Sequence, residues 1–229
     1  MELKDKAWEF WSQEPFPPSS KDYKVDMYFG TYWEPDSSRW CASLMEPVRA
    51  RLGRAFTVLD WGCGDGRLFS FLSKRIKDFK YYGLEHPGPF GDGCVQKAGA
   101  AFGKDSRAEF GVYGTPLEAK AVSESEIAVL GSVATHIPFP DFESIMIRLM
   151  PIIERGGAIV SSFFIEKEYK LKGESNCYGY QGCYSFVQYT QRQIDGLCHR
   201  LGLVGEEKET CLTMGCLHRI LLFGKAKSA

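Results

Sequence analysis

Thr57-Val58-Leu59-Asp60-Trp61-Gly62-Cys63-Gly64-Asp65-Gly66-Arg67 is the stretch from which the fold is read. It opens as a buried strand at Val58 and Leu59 and passes through three glycines at alternate positions. The apolar spacing of Leu68, Phe69, Leu72 and Ile76 then predicts a helix. A strand that turns into a helix through glycines lets a ligand lie against bare backbone, beside amide N–H groups and a helix N-terminus. The spacing is G-x-G-x-G, not the G-x-G-x-x-G that cradles a dinucleotide pyrophosphate. Asp60 closes the strand and Asp65 sits in the loop, so two carboxylates are expected to face the ligand. Such a site repels a diphosphate and attracts a ligand that carries positive charge.

The run from Val58 to Gly66 resembles the first motif of the class I S-adenosylmethionine-dependent methyltransferases. The cofactor of that family carries a sulfonium and an ammonium group, as the acids require. The order downstream strengthens the resemblance. Tyr81-Tyr82-Gly83-Leu84-Glu85 reads as a short strand ending in an acid, about where the second strand of a βαβ unit ends. In the family such an acid accepts the ribose hydroxyls. His86 and Pro87 read as turn residues. A Gly- and Ala-rich helix over 91–103 and a third strand over 109–113 follow. The family then places an acid near the next turn to meet the adenine amino group. Here the turn reads Gly114-Thr115-Pro116-Leu117, which leaves that task to Thr115, backbone groups or Glu118.

Residues 126–131 form another buried strand, with Ser132-Val133-Ala134-Thr135-His136-Ile137-Pro138 after it. Phe142, Ile145, Met146, Leu149, Ile152 and Ile153 recur at helical spacing, Gly156-Gly157 ends that helix, and 158–165 is a core strand. The resemblance thus runs collinearly over about residues 55–165. It implies a three-layer α/β sandwich in which a seven-stranded, mainly parallel sheet, in the order 3-2-1-4-5-7-6, carries helices on both faces. It also implies S-adenosylmethionine as cofactor and methyl transfer to an oxygen, nitrogen or carbon of a small-molecule acceptor. The cofactor-binding candidates are Asp60, Gly62, Cys63, Gly64, Glu85, Thr115 and Ser132. His136 follows the fourth strand on the cofactor's side and is the candidate base, whereas His199 and His218 read as structural.

Residues 1–52 hold four of the five tryptophans and read as an aromatic-rich cap or lid, with 53–229 as the cofactor-binding domain. Residues 166–189 are a tyrosine-rich stretch expected to form a long loop walling the substrate side. Thr190 is a good N-cap for the helix of Ile194, Leu197, Cys198 and Leu201, and Gly202 is its stop. Two strands, 203–210 and 216–224, close the sheet as an antiparallel end.

Composition narrows the function. Lys plus Arg number 28 against 29 Asp plus Glu, which leaves no electrostatic footprint for nucleic acid. No Asn-Pro-Pro-Tyr or Asp-Pro-Pro-Tyr follows the fourth strand, and this also disfavours chemistry on a base amino group. No apolar run is long enough for a membrane span, and the start does not resemble a signal peptide. The eight cysteines include no C-x-x-C pair, so cytosolic free thiols and no metal site are expected. A cytoplasmic monomer or homodimer is the resulting expectation. A protein methyltransferase and a non-catalytic cofactor-binding module are the alternatives.

Overall fold

A computed structural model describes residues 55–131, 133–165, 177–179, 185–213 and 216–226. The aromatic segment 1–52, Ser132 and most of the tyrosine-rich stretch lie outside the described residues.

Strand β1 (Phe56–Trp61) lies near the middle of the sheet, parallel to β2 (Phe79–Glu85) on one side and to β4 (Ile127–Leu130) on the other. β3 (Ala108–Val112) lies beyond β2, and β5 (Ala158–Ile165) beyond β4, both parallel. Strand β9 (Cys216–Lys225) pairs antiparallel with β5, and β8 (Leu203–Thr213) pairs antiparallel with β9. Counting β8 and β9 as sixth and seventh, these seven strands run in the expected order, but the sheet departs from it in holding nine strands.

Two further strands occupy the segment that the sequence presents as a loop. β6 (Cys177–Gly179) and β7 (Ser185–Tyr189) form an antiparallel pair, and β7 adds in parallel to Phe164 and Ile165 at the carboxyl end of β5. Because β9 already holds the other edge of β5 there, β7 fills the slot beyond the end of β4. Both strands are short, which is why no periodicity announces them.

The period-2 alternation of the strands sends side chains to two cores. Phe56 and Val58 join Tyr81, Ile127, Val129 and Val160 on the face covered by α1 (Arg67–Ser73) and flanked by α2 (Pro89–Phe102). Leu59 and Trp61 join Leu84, Leu130 and Phe163 on the other face, under α3 (Pro116–Glu124), α4 (Phe139–Glu154) and α5 (Gln191–Leu201). Helix α3 has no counterpart in the sequence reading, because Ala121 is its only fully buried residue and its apolar face is weak. Among the described helices α4 buries the most side chains. Phe142, Met146, Leu149 and Ile152 are wholly buried, each side chain contributing roughly 1.5–3 kcal/mol by leaving water. Helix α5 starts with a capping box, in which Thr190 accepts from the Gln193 N–H and the Gln193 side chain accepts from Thr190, and it ends at left-handed Gly202.

Candidate active site

The glycine loop is held from below by the end of β2. The N–H groups of Gly62 and Cys63 both donate to the Leu84 carbonyl, at 2.8 and 3.0 Å. The Gly64 N–H donates to Glu85 Oε2 at 2.8 Å, and the His86 N–H donates to Glu85 Oε1 at 2.9 Å. Gly62 (φ +79°) and Gly64 (φ +54°) both lie in the left-handed region that other residues rarely adopt. Their surroundings differ. A Cβ on Gly62 would stand 2.4 Å from Val133 Cγ2, whereas one on Gly64 would meet nothing within 4 Å among the described residues. Gly62 is the contact with the turn after β4, and Gly64 faces open space.

Asp60 and Glu85 are both buried carboxylates, 5% and 8% exposed. Asp60 accepts a hydrogen bond from the Tyr81 hydroxyl. Burial raises its pKa to about 7; the Tyr81 bond lowers it in part, and the Glu85 charge raises it further. Burial also raises Glu85, against the two backbone N–H groups that favour its charged form. The site thus holds two acids whose charged forms are poorly hydrated and would be favoured by a cationic neighbour. The second acid of the loop is Glu85. Asp65, to which the sequence reading gave that part, is exposed and paired with Arg67 at 3.3 Å. Cys63 is buried, and burial together with Asp60 and Glu85 pushes its thiol well up, so it stays protonated and unreactive.

At the end of β3, the Tyr113 ring stacks on Trp61 with centroids 4.4 Å apart. The Arg148 guanidinium from α4 lies over the same indole at 4.9 Å. Glu118 accepts from Arg148 Nε at 2.9 Å and from the Gly114 N–H at 2.7 Å. Its carboxylate is committed to the turn, which leaves Thr115 and backbone groups of the earlier alternatives. The Thr115 hydroxyl donates to the Val112 carbonyl at 2.8 Å and retains its acceptor lone pairs. Tyr113 and Arg148 were not singled out from sequence. An aromatic residue at the carboxyl end of a parallel strand was the available signal for Tyr113; nothing in the sequence marked Arg148.

His136 is half-buried in the turn that follows β4, and its N–H donates to the Val133 carbonyl at 3.0 Å. Through Val133 this turn rests on Gly62, so the structure brings the candidate base and the glycine loop into one region. Ser132, one residue before Val133, lies outside the described residues. Among the described residues no cluster of His, Cys, Asp and Glu suits a metal ion, and no helix is long and apolar enough to cross a membrane.

No family model and no curated protein sequence matches the chain. Solved structures do. Magnesium protoporphyrin IX methyltransferase from Synechocystis, with bound S-adenosylhomocysteine, superposes with a TM-score of 0.58 at 17% identity, covering 83% of this chain and 84% of that one. The 1,6-didemethyltoxoflavin-N1-methyltransferase of Burkholderia thailandensis gives 0.56 at 15% identity, covering 89% and 84%. The [4+2]-cyclase SpnF gives 0.63 at 12% identity, covering 86% and 83%. At such identities the likeness concerns architecture. The chain has the class I methyltransferase fold.

Proposed function

We propose that this protein binds S-adenosylmethionine and transfers its methyl group to a small-molecule acceptor. The carrying observation is the glycine loop itself. Gly64 is open to the outside while its N–H is held by a buried acid, and a second buried acid lies beside it. The residues present fit the cofactor. A carboxylate offers about four acceptor positions, and backbone N–H groups use two of those on Glu85, leaving room for the two hydroxyls of a ribose. Asp60 and Glu85 favour a cationic ligand. Gly62, Cys63 and Gly64 supply the bare backbone, and Thr115 and Ser132 complete the proposed contacts at the ends of the third and fourth strands. That solved neighbours hold S-adenosylmethionine or S-adenosylhomocysteine supports this reading.

The bound cofactor supplies a methyl group already activated by a sulfonium. The protein then has to align the acceptor and exclude water, and alignment alone can account for much of the rate. Where the acceptor must lose a proton, His136 takes it on its imidazole from within about 3 Å. The acceptor's class is inferred from the absence of a basic footprint and from neighbours solved with small molecules, among them 1,6-didemethyltoxoflavin and 1,4-dihydroxy-2-naphthoic acid.

Two measurements test this. Calorimetry with S-adenosylmethionine should show binding, and tritiated cofactor with a metabolite pool should yield S-adenosylhomocysteine and a labelled product. Absence of binding ends the proposal. Binding without turnover leaves the non-catalytic alternative. Glu85→Ala should weaken S-adenosylmethionine by about 1.5–3 kcal/mol, the range for hydrogen bonds to a charged group. A 2′-deoxyribose analogue should lose much less from the same substitution. Equal losses for both ligands would mean that Glu85 acts only by holding Gly64.

A further inference from the structure

The turn that carries His136 is fixed by the strand that the sequence did not reveal. The Val187 N–H of β7 donates to the Thr135 carbonyl at 2.9 Å, and the Tyr189 hydroxyl donates to the Ile137 carbonyl at 2.9 Å. These two bonds grip the residues immediately before and after His136. The third tie is the bond from the His136 N–H to Val133. Ala134, Thr135 and Ile137 are all buried, and His136 alone in that run is half-exposed. Tyr189 is itself wholly buried, its ring set among Phe139, Phe142 and Phe163 with centroids 5.3, 5.5 and 6.2 Å away. A ring so enclosed cannot swing, and its hydroxyl therefore presents a fixed donor to the turn. Burial raises the Tyr189 phenol well above its ordinary range, so the proton needed for that bond stays in place. Through Gln188 and Tyr189 the same end of β7 is bonded into the carboxyl end of β5. The sheet thus braces the His136 backbone from a second direction, independently of β4.

We infer that Tyr189 is a positioning residue: together with Val187 of the same strand it fixes the backbone on either side of His136 and so sets where the imidazole stands. The role as a base rests on the methyl-transfer reading above, but the positioning itself does not.

Tyr189→Phe deletes one hydroxyl and keeps the ring. The chain has four histidines, so all imidazoles can be followed by nuclear magnetic resonance in full-length protein labelled at histidine. The substitution should move the His136 resonances and its titration midpoint while His86, His199 and His218 stay where they are. Calorimetric affinity for S-adenosylhomocysteine should remain within about threefold, since no loop contact is touched. Ile194→Val, a buried change in α5 away from the turn, should lower the melting temperature without moving His136. Unmoved His136 signals in Tyr189→Phe would show that Tyr189 only fills the core and would overturn the inference. Should that variant not fold, amide exchange in the unaltered chain decides. Val187 and His136 N–H groups should exchange slowly and together, and fast exchange at Val187 refutes the brace. Failure of the unaltered chain to bind S-adenosylhomocysteine would count against the cofactor reading alone and leave the His136 comparison intact.

Discussion

Asp60→Asn is expected to melt higher than the parent at pH 8, by on the order of 10 °C, and to bind S-adenosylmethionine far more weakly. The carboxyl is buried in the folded chain, where its pKa is about 7 against an ordinary 3.8. The sign follows from linkage. A group raised in the folded state adds stability that is full below pH 3.8 and lost as pH rises through about 7. Above pH 7 the fold therefore carries the whole burden, which for this displacement is about 4 kcal/mol. Asparagine has no charge to desolvate, and its amide oxygen still accepts from Tyr81. For a domain of this size each kcal/mol is worth roughly 2–4 °C. At pH 4 the two proteins should melt alike, because Asp60 is protonated in the fold. Melting curves at both pH values, with and without S-adenosylmethionine, are the measurement. A variant that melts lower at pH 8 would show that the charge is compensated in the fold and that the site has no need of a cation. A raised melting point with undiminished cofactor affinity would free Asp60 from the site.

Gly64→Val and Gly62→Ala should fail in opposite ways. Gly64 has φ +54° and open space where its side chain would go. Valine there meets no neighbour among the described residues, so the fold bears only the backbone strain, about 1–2 kcal/mol. The isopropyl group then occupies the space assigned to the ligand, and binding should fall below detection. Gly62→Ala, by contrast, drives a methyl group to 2.4 Å from Val133 Cγ2. It must push the turn after β4 away, at about 1–3 kcal/mol of overpacking on top of the strain from its φ of +79°. The melting temperature should drop clearly further than in Gly64→Val. Calorimetry beside a melting curve separates the two. Normal cofactor affinity in Gly64→Val would remove the glycine loop from the proposed site.

What the sequence disclosed divides along physical lines. Segments that bury apolar residues in an unbroken run or at helical spacing were legible: β1, β4, β5 and α4 stand where those runs and the 3.6-residue spacing place them, and β5 runs over the expected 158–165. Helix α5 was legible from its ends, because Thr190 and Gly202 meet local requirements that a few residues decide. Contacts between distant segments were not legible. Nothing local in Tyr189 says that its hydroxyl will reach Ile137, and nothing in Glu118 says that Arg148 and Gly114 will consume its carboxylate. Glu85 was found from its place at the end of a strand. Its grip on the Gly64 N–H, and with it the replacement of Asp65 as the loop's second acid, needed three-dimensional coordinates.

The bond between Tyr189 and Ile137 joins residues 52 positions apart, as does the one between Val187 and Thr135. A contact so separated along the chain must close a long loop and forms late relative to local structure. During synthesis the glycine loop, both buried acids and β1 to β5 have all been made before β7 exists. The chain can therefore assemble its cofactor cradle first and its proton-accepting turn last. In refolding followed by pulsed hydrogen exchange, Gly64 should gain protection ahead of Val187. Simultaneous protection would mean instead that the two halves of the site nucleate as one unit.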